Sequence, residues 1–285
     1  MSITAALGDV KTVPVPCGTI AYRERGSGEP IVFVHGVGVT GDLWRNVAPA
    51  LSARHRCIVP DWPLGAHEER IDPATDMSLP GLAKIVADFL EALDLLDVTI
   101  VANDTGGAIS QWLVGHHGER VSRLVLTSCD AFDKYPPDPQ RILAKLARVR
   151  PLLWLLSKGM GFRFAQRLSI AYGETTREPI EPRIMAAYTE GVRTRSWVRA
   201  DLARILAAVA DEDMFGAALG LSRFDGPALV AWGADDRLFP PDYGRLLAEL
   251  LPNGRFTEIA DCMTFVPEEQ PERLVQLIGE FLGAT

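Results

Sequence analysis

Apolar residues along the chain follow two alternating patterns. Four short, uninterrupted apolar runs, PIVFVHG (30–36), VTIVAND (98–104), RLVLTS (123–128) and PALVAWG (227–233), each end in glycine or a polar residue. Runs without polar alternation suit strands buried on both faces, as in a parallel sheet. RCIVPDW and RFTEIAD are weaker versions of the same pattern. Between them apolar residues recur at helical spacing, as at Leu82, Ile85, Val86, Phe89 and Leu93, and again at Leu274, Leu277, Ile278 and Phe281. Near the start, TVPVPCGTIAYRERG predicts a hairpin turning close to Cys17 and Gly18. The alternation predicts an α/β fold, a mostly parallel central sheet flanked by helices. It stops between 133 and 223, where helical patterns appear without a convincing strand behind the linker-like DKYPPDP. The expected organisation is a core of 1–132 and 224–285, with a helical cap, 133–223, inserted after the sixth strand.

Composition narrows the function classes. The chain has 285 residues, 47% hydrophobic and 23% charged, as in an ordinary globular enzyme. A net charge of −8 argues against nucleic acid or an anionic membrane as the main partner. The start, MSITAALGDVK, lacks a basic segment followed by an apolar run, and no apolar run approaches the ~20 residues of a membrane span. Cys17, Cys57, Cys129 and Cys262 are scattered, without CxxC pairing or histidines at metal spacing. The expectation is a cytoplasmic protein with reduced thiols, no metal and no cofactor, acting on a small-molecule substrate; a homodimer is left open.

Candidate chemistry centres on VANDTGGAISQW (101–112). An apolar strand ends near Asn103 and a helix is predicted from Thr105. Small residues two before and two after Asp104 are what a sharp strand-to-helix turn requires, and such a turn lifts one side chain clear of the sheet edge. The competing reading is that Asp104 only caps the helix. Three other segments weigh against it. HGVGVTGDLW (35–44) could aim backbone N–H groups into the same cleft, so that Val37 and Thr105 would form an oxyanion hole. AWGADDRLFPP (231–241) places Asp236 three residues after a strand-ending glycine, as a candidate acid; Asp235 reads as solvated or as a helix cap. IADCMTFVPEEQPERL (259–274) reads as a strand end running into a final helix.

In this combination and order, the chain resembles the α/β-hydrolase superfamily from about Gly18 to Leu282. With aspartate at the turn it resembles the haloalkane dehalogenase and epoxide hydrolase branch. The resemblance implies that Asp104 takes the nucleophile position, Asp236 the acid position and Thr264 the histidine position. The chain departs from the dehalogenases at Thr105 and Val37, where they usually carry tryptophan and asparagine, and from the epoxide hydrolases at Gly38, where they usually carry proline.

The loss of histidine does not depend on alignment. The five histidines are His35, His55, His67, His116 and His117, and none follows 117. The family's chain order of nucleophile, acid and histidine is therefore impossible. An ester on Asp104 would lack its usual general base, and a threonine hydroxyl has no useful basicity near neutral pH. Three readings remain open. Asp104 could serve as base or acid in a non-hydrolytic step such as elimination, isomerisation or cyclisation. Asp236 could activate a water for hydrolysis. The protein could bind a small ligand without turnover. His67, in the loop after an early strand, is a candidate alternate base. Tyr135, Trp154, Tyr172 and Tyr188 are candidate substrate-binding side chains of the cap.

Overall fold

The computed structural model describes residues 5–132, 137–209 and 214–283. Among them, eight strands run β1 Val10–Val15, β2 Gly18–Arg25, β3 Pro30–Val34, β4 Arg56–Pro60, β5 Val98–Asp104, β6 Val121–Cys129, β7 Ala228–Gly233 and β8 Gly254–Ile259. They form one sheet in the order β1-β2-β4-β3-β5-β6-β7-β8. β1 and β2 make the expected antiparallel hairpin, and β2 also runs antiparallel to β4. The remaining pairings are all parallel.

Burial on both faces explains the uninterrupted apolar runs. Successive side chains of a strand point to opposite faces. In β3, Val32 and Val34 join one core cluster while Ile31 and Phe33 join another; in β6, Leu124 and Leu126 oppose Val125 in the same way. Helix α1 (Ala48–Leu51) contributes to the second cluster, and α2 (Leu79–Ala92) and α3 (Thr105–His116) to the first. The spacing seen in the sequence puts Leu82, Ile85, Val86 and Phe89 of α2 against the sheet; Leu93 lies just past the helix end.

Between β6 and β7 come α4 (Asp138–Ala147), α5 (Arg150–Gly159), α6 (Arg163–Gln166), α7 (Pro182–Thr194), α8 (Ser196–Val209) and α9 (Met214–Leu221). The chain closes with α10 (Pro241–Leu250), α11 (Val266–Glu269) and α12 (Pro271–Gly283). Leu274, Leu277, Ile278 and Phe281 of α12 complete the second core face. α4, α5, α7 and α8 share a separate apolar cluster built on Ala144, Leu153, Val192, Val198 and Leu206. α9 behaves differently. It lies on α3, where Gly115 and Gly220 meet backbone to backbone: a Cβ on Gly220 would stand 2.6 Å from the Gly115 Cα. Every described element of 133–223 is a helix, with turns and irregular chain between Gln166 and Pro182, and the last of these helices belongs with the core layer. No described helix is long and apolar enough to cross a membrane. All four cysteines are buried and unpaired.

Candidate active site

A cavity of about 150 Å³ lies where the ends of β5 and β6 meet the helices between β6 and β7. Val37, Asp104, Thr105 and Asp130 line it on the sheet side. Leu143, Leu153, Leu156, Leu202 and Leu206 make it apolar on the helix side. A pocket of this kind, mostly apolar with a few converging polar groups, suits a small hydrophobic molecule.

Asp104 is the last residue of β5, and α3 begins at the next residue. Its backbone sits at φ 56° and ψ −137°, a conformation that costs a non-glycine residue on the order of 1–3 kcal/mol. The side chain makes no capping hydrogen bond to α3, so helix capping does not account for it. Gly36 makes the seat: a Cβ there would fall 2.2 Å from Asp104 Oδ2. Burial raises the Asp104 carboxyl from 3.8 to about 7, against the pull of the Thr105 backbone N–H and with the help of Asp236's charge.

Asp236 and Thr264 meet. The Thr264 hydroxyl donates to Asp236 Oδ1 at 2.8 Å, and the backbone N–H groups of Leu238 and Phe239 donate to the same oxygen at 3.0 Å each. Asn103 Nδ2 donates to the Thr264 carbonyl at 2.8 Å and to the carbonyls of Thr127 and Ser128 at 3.2 and 3.3 Å, tying the loop after β8 to the end of β6. Asp236 is raised to about 7 by burial, which outweighs these donors. Leu238 and Phe265 line the cavity, whereas Asp236 and Thr264 do not. Asp235 stands apart, 3.4 Å from Arg177. Because Thr264 is fully buried, Thr264→Val is expected to lower the unfolding free energy by about 1–3 kcal/mol. Urea denaturation at neutral pH checks this, and the buried carboxyl left short of a donor is the cause.

Asp130 is the functional candidate that sequence reasoning missed. It follows β6 directly, on the strand beside Asp104, and is 2% exposed. Its Oδ1 faces no hydrogen-bond partner among the described residues. Burial pushes its carboxyl well up, the Asp104 charge adds to this, and the Thr105 side chain works against it. Two buried carboxyls at the ends of neighbouring strands cannot both ionise cheaply, which favours keeping a proton on one of them. The only sequence signal was an aspartate two residues beyond the predicted strand 123–128.

Other expected site residues lie elsewhere. His67 is buried with Nε2 3.3 Å from Asp201 Oδ2, its ring edge-on to Trp197, and it does not line the cavity. It is thus consumed by a packing contact with α8 and is not placed as an alternate base. His35 Nε2 accepts the Trp62 backbone N–H at 2.9 Å, and burial lowers the imidazole to about 4. No histidine lines the cavity among the described residues. Tyr172 does line it, with its hydroxyl donating to the Gly38 carbonyl at 2.6 Å. Tyr188 is instead a core residue whose hydroxyl donates to Glu268 at 3.0 Å. Trp154 is 50% exposed, because α5 turns its neighbour Leu153 inward. Tyr135 lies outside the described residues. No group of three or more metal-ligating side chains occurs among the described residues.

Comparison with known proteins agrees with this architecture. A sequence model of the alpha/beta hydrolase fold matches residues 29–153. The cis-3-alkyl-4-alkyloxetan-2-one decarboxylase of Shewanella oneidensis is 28% identical, over 93% of this chain and 85% of its own. The non-heme chloroperoxidase CPO-A1 of Kitasatospora aureofaciens is 30% identical, over 82% of this chain and 84% of its own. Among solved structures, the epoxide hydrolase CorEH superposes with a TM-score of 0.80 at 20% identity, over 97% of this chain and 99% of that one.

Proposed function

The chain belongs to the α/β-hydrolase family, and from that premise we propose that it is an enzyme acting on a small, largely apolar molecule, with Asp104 as central carboxylate and no histidine in the reaction. The observation that carries this reading is that Asp104 and Asp130, at the ends of neighbouring strands, both line an apolar cavity that no histidine reaches among the described residues. An ionised Asp104 removes a proton from substrate carbon. A protonated Asp130 gives one to the oxygen on which negative charge develops. The backbone N–H groups of Val37 and Thr105 face the same charge as an oxyanion hole. One proton is taken and one given, so the step needs no water and no external acid; proton exchange between the two carboxyls resets the site. This is the balance of an elimination or isomerisation.

Thr264 stands, in this reading, where the family keeps its histidine, and its hydroxyl holds Asp236 in place of an imidazole. Hydrolysis by an Asp236-activated water is less favoured, because Asp236 does not line the cavity. The oxetanone decarboxylase relative supports a non-hydrolytic outcome on this scaffold: by its name it releases carbon dioxide from a strained ring that bears two alkyl groups.

Incubating the protein with alkyl halides, epoxides and a cis-3,4-dialkyl oxetan-2-one, followed by intact mass and product analysis, tests the reading. Turnover without a lasting adduct, lost in Asp104→Asn, is the expected result. A persistent ester on Asp104 would make it a nucleophile and overturn the acid–base role. Binding without turnover of any probe class would favour a ligand-binding protein.

A further inference from the structure

We infer that the outer side of α5 and α6 docks the protein on an anionic phospholipid bilayer. Within fifteen residues of chain, Trp154, Leu155, Phe162, Phe164 and Leu168 are 50, 59, 71, 78 and 36% exposed. Large aromatics this exposed, and this close along the chain, mark an interaction surface rather than ordinary scatter. The charge around them is one-sided. Between 139 and 173 the sequence carries seven Lys and Arg and no Asp or Glu, in a chain whose net charge is −8. Arg148, Arg150 and Arg163 are exposed, and no acidic side chain pairs with them among the described residues. Exposed apolar side chains interleaved along short helices with exposed cations form the interfacial pattern that inserts shallowly between anionic headgroups. Beside Phe164, Arg163 and Arg167 border a surface groove of about 360 Å³, with room for a headgroup.

The whole-chain charge argues against such a surface only because it averages over the molecule; the local sign is opposite. The bound occupant is a lipid surface because the patch combines aromatic residues with uncompensated positive charge, and a second copy of this basic patch would repel it. The placement also has a use. The inner side of the same segment, through Leu153, Leu156 and Met160, lines the cavity. An apolar molecule dissolved in the bilayer would meet the helices that cover its binding site. The inference goes beyond the proposed reaction and does not depend on it.

Co-sedimentation of the full chain with vesicles tests it. Binding is expected to phosphatidylcholine mixed with phosphatidylglycerol, not to phosphatidylcholine alone, and to weaken as salt is raised. Arg150→Gln and Arg163→Gln should each weaken it about fivefold. Phe162→Ser with Phe164→Ser should weaken it about tenfold or more, while Leu246→Ser, at an exposed leucine on α10, should not change it. Circular dichroism checks that each variant is folded. Absent binding, binding indifferent to the anionic lipid, or binding untouched by the double serine variant would overturn the inference. So would a dimer, seen by sedimentation, that the serine substitutions abolish.

Discussion

Asp104→Asn is expected to remove turnover, with a loss of about 10²–10⁴-fold in kcat/KM, and at the same time to stabilise the fold above neutral pH. The amide keeps the shape of the side chain, so the seat against Gly36 remains filled. What goes is the ability to take a proton. The stability effect has the opposite sign because burial raises the carboxyl above its ordinary 3.8, to about 7. A folded state with a raised carboxyl pKa binds protons more tightly than the unfolded chain. The penalty is therefore absent below about pH 4, grows between about 4 and 7, and is complete above 7. Asparagine escapes it. Chemical denaturation of the two proteins at pH 4 and pH 8 should give similar stabilities at the first, and a gain on the order of a few kcal/mol for the variant at the second. A gain that appeared only at pH 4 would contradict the assigned cause. The same scan gives an activity prediction for the unmodified protein: turnover rises with pH through about 7 as Asp104 ionises.

Asp130→Asn is the second large effect. If Asp130 supplies the proton, the amide should lower kcat by about 10²–10³-fold with little change in KM. The pH profile separates this from a structural lesion. In the unmodified protein an alkaline limb should mark the loss of the Asp130 proton, which burial and the Asp104 charge both resist. In Asp130→Asn that limb should vanish, while the acid limb should stay near 7, because a protonated Asp130 places no charge beside Asp104 as it ionises. An unchanged profile in a merely slower enzyme would remove Asp130 from the chemistry.

The parts of this molecule that sequence reveals are those whose cause is local. The strand-to-helix turn at Asp104 was legible because an apolar run, a break and two flanking small residues sit within a few positions. The parallel sheet was legible because its strands are apolar on both faces. Asp130 was not, since its burial depends on β5 and β6 lying side by side, and no neighbouring residue records that pairing. Trp154 shows a different limit. Periodicity identifies a helix face but not which way it looks; packing turned Leu153 in and Trp154 out. His67 was expected near the sheet edge, yet its partner Asp201 comes from 134 residues later. α9, MFGAALGL, is apolar all round where its neighbours are amphipathic, but its place on α3 rests on a glycine pair distant in sequence.

Asn103 grips Thr264 by the main-chain carbonyl, and the same amide reaches two carbonyls of β6. The loop is thus moored independently of the side chain that position 264 presents. Selection, or an engineer, could exchange that side chain without rebuilding the scaffold that presents it. Position 264 is in this sense a socket, held in place by its main chain whatever side chain it presents.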